Sequence, residues 1–465
     1  MQNNTVFILL PDGVGLRNFV YSGFYETGKK EGIDFTFWNN TAFDLANLGL
    51  PEIRIANSKT HPLTDLYKKA KVEVELDLNV RRSKDQIYNR YRFPFPRISL
   101  KHVIKNILIK SLVYTHSSNR GFLRIRNRLK QEERKTLYYH QSLETLEKEK
   151  PDMVFCTNQR HAATIAPLLA AKDLGIPTAT FIYSWDNLPK ATMVVETDFY
   201  FVWSDFMKKE LRYYYPYISE EQIIITGTPQ FEMHFKKDNF LSREAFFSKY
   251  QLDLGKKYIC FSGDDFTSSP DDPAYLEDTA KALLELNKKG HNLGIVFRRC
   301  PVDFSNRYDA VLKKYAGIIV PIDPLWKPLT EVWNTILPTQ EDDELFSNIA
   351  EHCEMVVNLG SSTIFDFIAH EKPCGYFRYN QRFQINPKWN IFECYKFIHF
   401  RSMPDQAAVF WLDSPEEIAG NIETMLTKKS NIVLDNAKKW FRIINEHPPQ
   451  EASARILKAI HTIIN

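Results

Sequence analysis

No apolar run in this 465-residue sequence approaches the roughly 20 residues that span a bilayer; the nearest, VIKNILIKSLVY at 103–114, carries Lys105 and Lys110. The opening MQNNTVFILLPDG has no basic n-region, and its apolar stretch stops at Pro11 and Asp12 rather than at a small-residue cleavage site. Together these absences predict a chain that stays in the cytoplasm. The cysteines at 156, 260, 300, 353, 374 and 394 form no CxxC or other close pair, which excludes a zinc knuckle and a disulfide framework. Glycine-rich LLPDGVGLRNF lacks the G-x-G-x-x-G spacing, its glycines being Gly13 and Gly15, so a dinucleotide fingerprint is not supported. No repeat runs at a solenoid period.

What is present is ample apolar material, 44% hydrophobic against 25% charged residues, enough for two cores of about 200 residues each. TVFILL, a loop, NFVYSGFYETGKKEG and FTFWN read as strand, helix, strand; DMVFCTN, AATIAPLLAAKDLG and TATFIYS repeat the rhythm, and DFYFVW and IIITG follow as short β-rich runs. A second series runs from YICFSGDD through LGIVFRRC and GIIVPI to MVVNLG and STIFDFIAHEKP. Strands alternating with helices imply two α/β domains, each a doubly wound parallel sheet. The expected limits are 1–230 for the first, 231–255 for a linker, 256–430 for the second, and 431–465 for two amphipathic helices.

Residues 84–135 break the rhythm and read as an insertion, with a basic apolar helix expected over Leu100 to Tyr114. Net charge is +3 overall, yet residues 81–135 hold sixteen Lys or Arg against Asp85, Glu132 and Glu133, or +13, leaving −10 on the rest. Such a segment, interleaved with Phe, Tyr, Ile and Leu, predicts an anionic membrane surface as partner, at about 1 kcal/mol per cation near the leaflet. Nucleic acid is not expected, since no RRM, KH, zinc or helix-turn-helix signature accompanies the charge.

Candidate functional residues sit where strands give way to loops. In NLGSSTIFDFIAHEKP, 358–373, Gly360 allows a tight turn and Ser361 or Ser362 falls where a helix cap belongs, a setting that suits a diphosphate; an ordinary capped helix gives the same pattern. Asp366 and Glu371 follow, one of them placed to accept from ribose hydroxyls. Arg298 and Arg299 end a strand, where guanidinium forks pair with phosphate oxygens. FSGDDFTSSPDD, 261–272, offers Ser262 and Gly263, while its acids predict a solvated rim. Ser184, Trp185, Asp186 and Asn187 lie just past another strand end, and His161 stands in TNQRHAAT.

GSSTIFDFIAHEKP resembles the double-serine strand-to-helix motif of CDP-glycerol glycerophosphotransferases, bacterial sialyltransferases and related surface-polysaccharide glycosyltransferases of the GT-B fold. IVFRRCPVDF resembles their strand-end arginine and proline, commonly R-x-H-P, with Cys300 in place of the histidine; TFIYSWDNLPKATMV and ITGTPQFE resemble stretches of predicted polysaccharide-biosynthesis glycosyltransferases. The resemblance implies two Rossmann-like domains facing across a cleft, the second binding a nucleotide-sugar donor and the first a glycan or lipid-linked acceptor. Arg298, Arg299, Gly360, Ser361, Ser362, Thr363, Asp366, Glu371, Ser262, Gly263, Gly227 and Thr228 would then lie on the donor side. Gly13, Arg17, Ser184, Trp185 and Asn187 would lie on the acceptor side. Asp12 is the first choice of catalytic base, with Asp186 and His161 in reserve. No cofactor or metal is expected, because the positive groups at the phosphates can replace one and no D-x-D pair stands in a suitable setting. The implied activity is an inverting glycosyl transfer in surface-polysaccharide synthesis, by a protein peripheral to the inner face of the membrane. Transfer of a polyol phosphate, 2-epimerisation of a sugar nucleotide and non-catalytic glycan binding are the alternatives.

Overall fold

A computed structural model describes residues 4–95, 98–328, 336–427 and 431–465; Pro96 and Arg97 of the basic insertion lie outside it. The chain folds as two units, Met1–Pro229 with Ile444–Asn465, and Gln230–Ile443.

In the first unit seven strands alternate with helices: β1 (Asn4–Leu10), β2 (Ile33–Asn39), β3 (Glu52–Arg54), β4 (Met153–Cys156), β5 (Thr178–Phe181), β6 (Phe199–Val202) and β7 (Ile223–Ile225). All pair in parallel, in the order β3-β2-β1-β4-β5-β6-β7. A sheet covered on both faces needs strands that are apolar throughout, and Val6 to Leu10 and Met153 to Cys156 are buried without alternation. Helices α1 (Val14–Phe19) and α2 (Phe24–Lys30) connect β1 to β2. The insertion begins earlier than expected, with α3 (Thr64–Ser83), and continues through α4 (Leu100–His116), α5 (Asn119–Glu133) and α6 (Leu137–Glu149) before β4. Ala70, Val74, Ile109, Phe122 and Ile125 give α3, α4 and α5 a small core of their own. Helices α7 (Ile165–Asp173) and α8 (Asp205–Tyr214) follow β4 and β6.

The second unit opens with a 3-10 turn, Pro229–Phe235, and α9 (Arg243–Lys249), so the expected linker is folded into it. Its strands are β8 (Lys257–Ser262), β9 (Leu293–Arg298), β10 (Ile319–Pro321), β13 (Val356–Asn358), β14 (Cys374–Phe377) and β15 (Phe410–Leu412), all parallel in the order β10-β9-β8-β13-β14-β15; β11 (Lys327–Pro328) and β12 (Ile336–Leu337) form a separate antiparallel ribbon. The helices are α10 (Asp272–Lys288), α11 (Asp309–Lys314), α12 (Gln340–His352), α13 (Thr363–Ile368), α14 (Ile391–Cys394), α15 (Pro415–Thr427) and α16 (Asn431–Ile444). The last helix, α17 (Ala452–Ile464), returns to the first unit and packs on α2, where a Cβ at Gly28 would meet Leu457 Cδ2 at 2.9 Å. Thus the two amphipathic helices of 431–465 belong to different units.

All six cysteines are free, four of them buried. Among the described residues, no helix is long and apolar enough to cross a membrane.

Candidate functional site

In each sheet the strand order reverses once, between β1 and β4 in the first unit and between β8 and β13 in the second. Outside the carboxyl ends of the strands at such a reversal the connecting loops part in opposite directions and leave a crevice. Asp12 and His161 follow the two strands at the first reversal; at the second, Ser262 ends β8 and Ser361 follows β13. Ser184 to Asn187 follow β5, Gly227 and Thr228 follow β7, and Arg298 ends β9.

In the first unit Asp12 follows β1 and His161 follows β4. Asp12 is 2% exposed. Its Oδ1 accepts from the backbone N–H groups of Val14 (3.1 Å) and Gly15 (3.4 Å), at the start of α1. Its Oδ2 accepts from Asn158 Nδ2 at 2.7 Å and lies 2.8 Å from His161 Nε2. Burial alone would raise the Asp12 carboxyl; the hydrogen bond and charge of His161, with Asn158 and Gly15, outweigh it and hold the carboxyl below the ordinary range. The His161 side chain keeps 24% of its surface exposed. Of the pair, the carboxylate is buried and orienting while the imidazole reaches solvent. Gly15 is required by close approach, since a Cβ there would lie 2.4 Å from Leu10 Cδ2 and 2.8 Å from Thr157 Oγ1.

Gln159, not singled out in the sequence, ties the next loop down. Its Oε1 accepts from Tyr183 N (3.1 Å) and its Nε2 donates to Asn187 Oδ1 (3.3 Å). Asn187 donates in turn to Asp186 Oδ1 (2.9 Å), and Lys190 pairs with Asp186 Oδ2. Burial, then the charge of Asp12, raises the Tyr183 phenol while Arg160 and Arg17 oppose; Asp186 adds to the rise, so both candidate acids and two cations act on one hydroxyl. Trp185 is buried, and Ser184 accepts at its carbonyl from Asn187 N (3.1 Å). Lys68 of α3 donates to the Arg160 carbonyl at 3.0 Å; burial, opposed by Asp65 and aided by Arg160, pushes its ammonium down to about 8. Glu210 of α8 is buried with neither carboxyl oxygen hydrogen-bonded among the described residues, and burial with the Asp186 charge pushes it up to about 8. Nothing in KKELRYY marks it out.

In the second unit Ser262, Ser361 and Thr363 bring three hydroxyls together: Ser361 Oγ to Thr363 Oγ1 is 2.6 Å, and Ser262 Oγ to Thr363 Oγ1 is 3.3 Å. Gly360 has φ 67°, and a Cβ there would meet Phe400 Cζ at 3.0 Å and Tyr395 Cε1 at 3.2 Å. Asn358 Oδ1 accepts from Ser361 N (2.9 Å), and Tyr376 donates to the Ser361 carbonyl (2.7 Å). Ser362 occupies the N-cap position but makes no side-chain cap bond.

Several donor-side expectations change on contact with their neighbours. Asp366 is buried and its Oδ1 is engaged by His234 Nε2 at 2.9 Å; Glu371 is exposed and paired with Lys438 at 2.6 Å. Both carboxylates thus already hold a partner. Arg298 is buried, its Nη2 bound to Asp342 Oδ2 at 2.7 Å and its guanidinium over Phe346, while its Nη1 has no hydrogen-bond partner among the described residues. Arg299 reaches Asp323 (3.0 Å) and the Ser305 carbonyl (3.3 Å). Gly263 N donates to the Arg298 carbonyl at 2.8 Å. The acids of FSGDDFTSSPDD form no solvated rim: Asp271 and Asp272 are buried, and Asp272 accepts from Tyr308 (2.6 Å) and Ser269 (2.8 Å). Burial pushes Asp272 up to about 6 and Asp264 well above the carboxylate range. Gly227 and Thr228 belong to the first unit, where Thr228 N donates to Asn445 Oδ1 at 2.9 Å.

The chain matches no family model and no curated protein. Among solved structures it is similar to S. aureus MnaA solved with UDP, at 14% identity over 99% of this chain and 97% of that one, TM-score 0.54. A putative UDP-N-acetylglucosamine 2-epimerase from Listeria monocytogenes matches at 12% over 99% and 96%, TM-score 0.56. A glycosyltransferase from Rickettsia africae matches at 12% over 100% of both chains, TM-score 0.53. At these identities the likeness is one of fold, and the fold is GT-B.

Proposed function

We propose that this protein acts on a nucleoside-diphosphate sugar and breaks the bond between its anomeric carbon and phosphate. The observation that supports the reading best is the Asp12–His161 pair at the reversal of the first sheet, in a chain whose full-length solved neighbours are named as UDP-sugar 2-epimerases and a glycosyltransferase. In this reading His161 moves the proton and Asp12 holds the ring and stabilises the imidazolium. That differs from Asp12 as the base, because a buried carboxylate with four donors already on it has no face for a substrate. The second unit supplies nucleotide binding through Ser262, Ser361 and Thr363 and the unpaired Nη1 of Arg298, with no divalent ion required.

Two fates of the sugar remain, and a different observation favours each. Inversion at C2 needs a proton taken there as the C1–O bond breaks, then a proton returned to the other face of C2 as the UDP oxygen re-forms the bond to C1. This reading is supported by the several neighbours named as UDP-GlcNAc 2-epimerases. Transfer to an acceptor hydroxyl on a glycan or lipid-linked precursor is favoured by the basic insertion, which a reaction without an acceptor does not need. The deciding experiment follows UDP-GlcNAc by NMR, with and without a chelator and an acceptor extract. A new UDP-sugar formed without acceptor gives the epimerase; UDP released only with acceptor gives the transferase. CMP released from CDP-glycerol would move the reading to polyol-phosphate transfer. If UDP, GDP, CMP, CDP and dTDP all leave the melting temperature unchanged, the nucleotide reading fails, since a ligand at 100-fold its Kd should stabilise by about 2.7 kcal/mol.

A further inference from the structure

Helix α4 is apolar on two sides. Ile109 is buried and Leu112 and Val113 are half-buried against α3 and α5. On the other side Leu100, Ile104, Ile107, Leu108 and Tyr114 are each between 50% and 88% exposed. Their spacing, with steps of three, four and six or seven residues, places them along one stripe of a helix about 25 Å long. Scattered exposed leucines are ordinary; a continuous stripe of this length on one helix is not. Lys101 and Lys110 flank the stripe, Lys105 is paired with Asp65 of α3, and residues 100–116 contain no carboxylate.

We propose that α4 lies in the surface of an anionic bilayer, its outer stripe among the acyl chains and Lys101 and Lys110 at the lipid phosphates. This rests on the expectation that the basic insertion meets an anionic membrane, and it names the element and the lipid chemistry involved. Charge selects this occupant: a second copy docking stripe to stripe would set lysines against lysines, whereas an anionic leaflet attracts them. The helix lies in the surface instead of crossing it, because its inner side is committed to α3 and α5. The arms of α3 and α5 hold it as a fixed foot.

The test is co-sedimentation of the full chain with vesicles of phosphatidylcholine alone and with 30% phosphatidylglycerol, a composition on the order used to report anionic selectivity. Binding to the anionic vesicles is expected to be at least about tenfold tighter and to fall as salt rises. Ile104→Ser/Ile107→Ser/Leu108→Ser should weaken it at least about tenfold, with circular dichroism and the UDP-induced melting shift unchanged. Lys101→Gln/Lys110→Gln should lose the preference for anionic lipid. Equal affinity for both vesicles, no binding, or wild-type binding by the triple serine variant would overturn the proposal. So would a dimer in light scattering that the serine variant dissolves, which would give the stripe to a second copy. Because UDP binding is read separately, failure of the nucleotide reading leaves this result standing, and the reverse.

Discussion

Asp12 divides its two oxygens: Oδ1 accepts from the first N–H groups of α1, and Oδ2 accepts from Asn158 and lies beside His161, the side that the proposed function uses. The division gives separable expectations. His161→Gln removes the proton carrier, so turnover should fall by about 10² to 10⁴ while nucleotide affinity stays the same. Asp12→Asn keeps an oxygen for the first N–H groups of α1 and so should melt near wild type, yet it removes the negative charge beside His161, so turnover should fall while nucleotide affinity stays the same. Full activity of His161→Gln would return the proton to Asp186 or Glu210. Gly360 makes a second case. An alanine there would adopt a left-handed φ and press on Phe400, which should cost about 1–3 kcal/mol, read from denaturant unfolding. Unchanged stability would mean the loop after β13 relaxes freely.

Among the elements, the 3-10 turn before α9 connects to α12 and α13 through a row of titratable groups. His234 Nε2 meets Asp366, His234 Nδ1 lies 2.9 Å from His370 Nε2, and His370 Nδ1 lies 2.7 Å from Glu351. Burial, then the neighbouring His234, pushes His370 down to about 4, against the pull of Glu351 and Asp366. A histidine depressed in the folded state is neutral there and protonates more readily when unfolded. Its contribution is therefore complete above pH 6.5 and is lost as pH falls toward 4, by at most about 1.4 kcal/mol per pH unit. His370→Gln should flatten stability between pH 6.5 and 4 in denaturant titrations; an unchanged slope would show that other groups set it. Residues 231–255, expected as a linker, are joined to the second unit at this turn and just after it: His234 meets Asp366 of α13, and Asn348 of α12 accepts from Leu241 N and donates to the Asn239 carbonyl.

For the molecule as a whole, the chain leaves the first unit at Pro229 and rejoins it at Ile444. The first unit is thus closed by the final helix. Ile456, Leu457 and Ile460 of α17 are fully buried, and Leu457 lies where α2 comes close through Gly28. Leu457→Ala should destabilise by about 2–5 kcal/mol, a loss a thermal melt would register although position 457 lies more than 200 residues beyond the unit's last strand. A melting temperature within a degree of wild type would show that α17 docks without supporting the core.

The alternation of strands and helices, the two α/β series and the location of the functional loops are properties of local sequence. Apolar runs such as TVFILL and DMVFC and the Gly-Ser-Ser turn carry their own periodicity and turn chemistry, which neighbours do not alter. What each side chain in those loops does depends on which strands lie adjacent. Asp12 and Asn158 stand 146 positions apart and meet because β4 pairs with β1. Arg298, at the end of β9, is bonded to Asp342 of α12, 44 positions on, and Asp366 of α13 to His234, 132 positions back, so charges that local sequence leaves open are engaged. Strand order and helix docking follow from burial summed over whole sheets, and no local spacing encodes them. That is why the loops could be found from sequence, while the partner of each buried charge was decided only by the tertiary structure.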